Sequence, residues 1–224
     1  MPRAVIRVLA KLSLCIAASA AASLPAAAQP ASDPDAQHKA DLIVAYKILV
    51  NEGILDSFGH VSVRSSKDPG VFFMPRAMPP ALVSAADIVE LDLDCKPVNP
   101  EAPRTNGERF IHGEIYKARP DAECILHYHA DELVALAATG QEIKVIANCG
   151  VAFHRGTPIY DSPVLIRNPE LGDKVAATLG DKRAVLLRGH GGTVAADNLD
   201  QLVLLILVER LESLIIQTQI LQQL

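Results

Sequence analysis

The chain is predicted to fold as an α/β domain in which a sheet is covered by helices. Short apolar or alternating runs that stop at Pro or Gly interleave with longer runs at helical spacing. They do so without the regular parallel βαβ count of a barrel. A length of 224 residues, half of them hydrophobic, is enough for one large core and too little for two ordinary domains.

The N-terminal segment is set apart by its composition. Residues 1–11 carry Arg3, Arg7 and Lys11, residues 12–24 are apolar and alanine-rich, and Ala26-Ala27-Ala28 precedes Gln29. Residues 1–28 therefore read as a secretory signal peptide cut near Ala28, with a periplasmic or secreted product. The apolar run falls short of the roughly 20 residues that a membrane span needs. Its removal takes away three positive charges and no acidic ones, so the formal net charge of −5 becomes −8. An acidic chain without a basic run is a poor partner for nucleic acid or an anionic membrane. Cys95, Cys124 and Cys149 are odd in number and lack CxxC spacing, so they read as thiols.

Residues 29–36 are rich in Pro, Ala, Asp and Ser and read as a flexible lead-in to a domain over residues 37–224. A first helix is expected over residues 40–51, stopped by Gly53. Strands follow at residues 61–64 and 71–74, the second ended by Pro75. A capping-box-like turn, Ser84 to Asp87, leads into a strand over residues 88–93. Residues 106–117 read as a helix ended by Arg119-Pro120. Residues 124–129 are a strand, and Asp131 is placed to cap the helix that runs to Ala138. A short strand is expected over residues 143–147, then a long irregular stretch. Asn168 caps a helix starting at Pro169. Residues 184–187 form a buried strand, and residues 199–224 a long amphipathic helix.

His127-Tyr128-His129 is the most informative motif. Side chains alternate along a strand, so Leu126 and Tyr128 go to one face while His127 and His129 share the other and can grip one metal ion. Taken alone, the pair is also compatible with a structural role. Arg188-Gly189-His190-Gly191-Gly192 offers a third imidazole on a turn where glycine lets the backbone approach closely. Three imidazoles with an open position are the pattern of a catalytic metal site. Glu108 stands four residues before His112 on the expected helix, as a fourth ligand, a proton shuttle, or a first-turn glutamate favoured by the helix dipole. His112 reads as a residue packed behind the site.

These segments resemble the class II aldolase/adducin family, which contains fuculose-phosphate aldolase, ribulose-phosphate epimerase and metal-dependent aromatic decarboxylases. The matching stretches run in order: Gly59 to Arg64, Ile88 to Asp94, Glu108 to Asp121, His127-Tyr128-His129 and Leu187 to Gly191. The resemblance implies a three-layer fold with a central, largely antiparallel sheet, and in many members a fourfold homotetramer with sites at subunit contacts. It implies that His127, His129 and His190 bind one divalent metal, zinc or manganese first, with iron, cobalt or nickel also suited to imidazole. Glu108 becomes the acid/base residue. The metal would polarise a substrate oxygen and hold developing charge as an enolate or enediolate.

Departures from the family narrow the substrate. Sugar-phosphate members hold phosphate with a Gly-Asn, a Thr-Pro-Ser/Thr-Gly turn and paired serines. Here those places read Gly59-His60, Met74-Pro75-Arg76-Ala77 and Asn106-Gly107. His60, Arg76, Asn106 and Gly107 are thus expected to line a pocket for a carboxylate, for which arginine offers a planar fork, whereas Arg64 is expected to tie loops together. A tyrosine near the C-terminus that assists the family's aldolases has no match before Leu224. The chain is therefore expected to be a metal-dependent carbon–carbon lyase on a small, non-phosphorylated hydroxy-carboxylate or hydroxy-carbonyl compound, decarboxylation ahead of aldol cleavage. The alternatives are a sugar aldolase or epimerase, and a non-catalytic adducin-like interaction domain.

Overall fold

In the computed structural model, which describes residues 33–221, one seven-stranded sheet sits between two layers of helices. The elements run α1 (Pro34–Asn51), β1 (His60–Arg64), β2 (Val71–Pro75), β3 (Ile88–Asp92), α2 (Arg109–Ala118), β4 (Cys124–Tyr128), α3 (Asp131–Ala138), β5 (Ile159–Tyr160), α4 (Pro169–Leu179), β6 (Ala184–Leu187), β7 (Gly191–Ala196) and α5 (Leu199–Leu221). Strand order is β3-β2-β1-β4-β7-β6-β5, and every pairing is antiparallel except β5 with β6. The expected three-layer, largely antiparallel architecture is what is observed.

Side-chain alternation splits the core in two. Val61, Val63, Leu126, Tyr128, Val194 and Ala196 point to one face, where they pack with Leu42, Tyr46 and Leu49 of α1, Leu133 of α3 and Leu202 and Ile206 of α5. Ile125, Val185, Leu187 and Ala195 point to the other, against Ile111 and Ile115 of α2 and Val175 and Leu179 of α4. His60, Ser62, His127 and Thr193 fall on that second face by the same period of two, as a polar island beside an apolar core.

Several local expectations are corrected. The helix expected from residue 40 begins at Pro34, inside the expected lead-in of residues 29–36, because Asp33 accepts the Asp35 N–H and proline tolerates the first helical position. Residues 143–147 are not a strand: the Glu212 carboxylate takes the Ile146 and Ala147 N–H groups at 2.9 Å, so no sheet partner is needed. Asp131 is the first residue of α3 rather than its cap, which is Ala130. The helix expected from residue 106 starts at Arg109, with Glu108 at its N-cap. By contrast, the Ser84–Asp87 capping box and the Asn168 cap are present as expected. The expected signal peptide, residues 1–28, lies outside the described residues. Among the described residues no helix is long and apolar enough to cross a membrane.

Candidate metal centre

The register of the sheet builds the site. His60 of β1 stands directly opposite His127 of β4, and His127 opposite Thr193 of β7, so the three share one face. His129 follows the last residue of β4. His190 sits on the turn between β6 and β7, where Gly189 takes φ +64°, a conformation that suits glycine. The β7 glycines answer a second demand, which is space. A Cβ on Gly191 would run into the Tyr128 carbonyl and the His129 ring, and one on Gly192 into the Tyr128 hydroxyl.

Glu108, His127, His129 and His190 present ligand atoms that all lie within 4.8 Å of one another. His127 Nε2 is 3.0 Å from His129 Nε2. Glu108 Oε2 is 3.5 Å from His190 Nε2 and 3.9 Å from His127 Nε2. Both ring nitrogens of His190 are buried without a hydrogen-bond partner. Orphaned nitrogens of this kind are costly, and of the two it is Nε2 that faces Glu108 and the cluster.

Neighbouring groups set the tautomers. His129 Nδ1 lies 3.2 Å from both oxygens of Asp56, whose carboxylate also accepts the Phe58 and Gly59 N–H groups. His127 Nδ1 faces Thr193 Oγ1 at 3.3 Å. Donation from Nδ1 to such partners leaves the Nε2 lone pairs turned inward, as a metal requires. Burial, then the adjacent imidazoles of His60 and His129, hold the His127 pKa well below its ordinary value, so the ring is neutral and able to ligate. The donor set fits a divalent transition ion: three imidazole nitrogens and a carboxylate oxygen.

Glu108 is 9% exposed. Its Oε1 accepts the Ile166 N–H at 2.8 Å, and its own N–H is held by Asn106 Oδ1 at 2.8 Å. Burial works against the charged form, but the His190 side chain, His127 and the Ile166 amide outweigh it and bring the carboxyl to about 2. One oxygen is thus anchored and the other faces the histidines.

The expected substrate residues divide. His60 is 3% exposed and lies beside His127, with ring centroids 5.1 Å apart. Asn106 and Gly107 form the turn that carries Glu108. Arg76 is directed elsewhere: its Nε donates to Asp87 at 2.8 Å, and among the described residues no hydrogen bond or ion pair joins it to the histidines. Arg64 ties loops together as expected, donating to the carbonyls of Ala122, Pro69, Tyr116 and Arg119. His112 is fully buried and packs behind the site. Asp56, Thr193, Ser62 and the Ile166 amide were not expected, and neither was Arg167, whose Nε would lie 3.8 Å from a Cβ on Gly107.

The model of the Class II Aldolase and Adducin N-terminal domain matches residues 40–214, which include all four clustered residues. The chain belongs to the class II aldolase and adducin family. The decarboxylase tropJ of Talaromyces stipitatus is 32% identical over 176 residues, covering 70% of this chain and 66% of that one. A 3,4-dihydroxyphthalate decarboxylase of Arthrobacter keyseri is also 32% identical over 176 residues, covering 73% and 71%. The chain thus spans about two thirds of the length of these curated relatives. Among solved structures, the L-fuculose-1-phosphate aldolase of Thermus thermophilus aligns with a TM-score of 0.72 at 23% identity, over 84% of this chain and 97% of that one. The family, the α/β fold and the decarboxylase branch expected from the motifs are borne out. The lyase class expected for the chain is supported by the names of these relatives.

Proposed function

We propose that this class II aldolase family member is a divalent-metal-dependent carbon–carbon lyase that decarboxylates a small hydroxyaromatic carboxylate. The observation that carries the reading is the convergence of His127, His129 and His190 with Glu108 inside 4.8 Å. A divalent ion held there supplies Lewis-acid stabilisation of charge on a substrate oxygen. The chain's residues do the rest.

Glu108 Oε2 is the atom that handles the proton. With Oε1 pinned by Ile166, the carboxylate keeps its aim as it takes a hydroxyl proton from the substrate and later delivers one to carbon. In that sequence the carbon–carbon bond breaks, carbon dioxide leaves, the electron pair stays on the ring, and the proton from Glu108 completes the new carbon–hydrogen bond. Buried His60, His112 and His127 wall off water on the sheet side. Arg167, beside the Glu108 turn and without a side-chain ion pair or hydrogen bond among the described residues, is better placed than Arg76 to meet a substrate carboxylate.

The decarboxylase names of the relatives favour this chemistry over aldol cleavage, which the same groups would serve. A buried His190 Nε2 that faces the Glu108 carboxylate and has no hydrogen-bond partner favours an enzyme over an interaction domain, which has no use for it. Export after removal of residues 1–28 and a homotetrameric assembly are part of the same proposal. A panel of hydroxyaromatic carboxylates and hydroxy-aldehydes, assayed with manganese and with zinc, tests it. Carbon dioxide release from the first group is expected, whereas silence across the panel with metal bound would favour the interaction domain.

A further inference from the structure

A chain of four buried side chains runs behind the metal centre. Tyr116 Oη lies 2.8 Å from Ser62 Oγ, Ser62 Oγ 2.6 Å from His112 Nδ1, and His112 Nε2 2.6 Å from His60 Nδ1. The last atom, His60 Nε2, is buried and has no partner. Each of the three links has two possible directions, and the phenol decides between them.

Burial raises the Tyr116 pKa well above its usual value, so the hydroxyl keeps its proton and needs an acceptor. Ser62 Oγ is the acceptor within reach. If Tyr116 donates to Ser62, the serine hydroxyl must donate to His112 Nδ1. His112 then carries its proton on Nε2 and donates to His60 Nδ1, and His60 carries its own proton on Nε2. The reverse direction strands the Tyr116 proton without an acceptor, at the cost of an unmade buried hydrogen bond. A ring nitrogen that accepts a hydrogen bond bears no proton, so His112 Nδ1 and His60 Nδ1 are both bare, each ring has its proton on Nε2, and the direction propagates along the chain.

We propose that the Tyr116–Ser62–His112 chain fixes His60 as a neutral Nε2–H donor, so that His60 gives a hydrogen bond to a substrate oxygen at the metal centre and does not ligate the metal. His60 is beside His127 on the same sheet face, which puts this donor next to the cluster. It also explains why four neighbouring histidines yield three ligands: a nitrogen that carries a proton has no lone pair to give. Ser62, His112 and Tyr116 act through His60 and are positioning residues. The inference rests on the lyase reading only for the identity of the substrate.

Long-range proton–nitrogen spectra of metal-free, nitrogen-15-histidine-labelled protein at neutral pH test the tautomer directly. The wild type is expected to show His60 protonated on Nε2 alone, and Ser62→Ala a mixture. A His60 protonated on Nδ1 in the wild type overturns the proposal. Metal content and calorimetric binding of salicylate to metal-loaded protein test the role. His60→Leu is expected to keep its metal and to bind salicylate about 10- to 100-fold more weakly. His60→Gln, which restores an N–H, is expected to stay within a few-fold of wild type. Loss of metal in His60→Leu, unchanged salicylate binding in that variant, or no salicylate binding by the wild type each contradicts the proposal. Absence of turnover by a wild type that passes these tests removes the lyase reading and leaves the His60 donor in place.

Discussion

Gly191 is packed so closely under His129 that a side-chain carbon on it would stand 2.9 Å from His129 Cδ2 and press into the Tyr128 carbonyl. The glycine on β7 is what lets His129 stand beside His127 at the end of β4. Gly191→Ala should therefore push the His129 ring off its position and weaken metal binding by about 10- to 100-fold, the range seen when ligand orientation is lost. It should also destabilise the fold by about 1–3 kcal/mol through overpacking. Metal titration beside urea unfolding checks both effects, and a variant with wild-type metal affinity would show that the contact does not position the ring.

Asp56 acts on the same ring from the other side. Asp56→Asn keeps the side-chain size and one acceptor oxygen for the Phe58 and Gly59 amides but removes the negative charge facing His129 Nδ1. Metal affinity should fall by about 10- to 100-fold with little loss of stability. Competition against a chelator measures the first, and thermal unfolding the second.

Glu108→Gln separates proton transfer from metal holding. The glutamine oxygen can still accept the Ile166 amide, and three imidazoles remain for the ion. Metal content should stay near that of wild type while turnover falls by about 10²- to 10⁴-fold. Parallel metal analysis and steady-state kinetics give the answer, and full activity in this variant would remove Glu108 from the chemistry.

Acid should destabilise the metal-free protein in a defined window. Burial brings His112 down to about 3 and holds His60 and His127 well below the usual 6.5, so the unfolded chain binds more protons than the folded one between those limits. Stability is then full above about pH 6.5 and is lost as pH falls toward 3. Glu108, brought down from 4.5 to about 2, adds a further loss in that lower range. The urea midpoint of metal-free protein should drop between pH 7.5 and pH 5. Equal midpoints would mean that these rings are not held neutral.

Much of the site was legible because its geometry follows from short-range periodicity. The strand period of two put His127 and His129 on one face, and glycines around His190 marked a sharp turn. Asp56, Thr193 and Ser62 were not legible: each is one polar residue whose partner lies 50 or more positions away, a distance that no local pattern encodes. β7 was hidden for a related reason. Gly191-Gly192 reads as a turn, yet those glycines sit in a strand paired on both sides, at places where Tyr128 and His129 leave no room for a Cβ. Residues 143–147 misled in the opposite direction, since a short, mostly apolar run is held as loop by the carboxylate of Glu212. Arg76 carried the right chemistry for a carboxylate, but its ion pair with Asp87 becomes visible only once the β2–β3 register is known.

A metal ion held by His127, His129 and His190 is the centre of the proposed chemistry, and elemental analysis of purified wild type beside His129→Ala tests it most directly. One equivalent of a divalent metal in the wild type and its loss in the variant is the predicted result. Wild-type protein without stoichiometric metal, or a His129→Ala variant with full metal content, would contradict it.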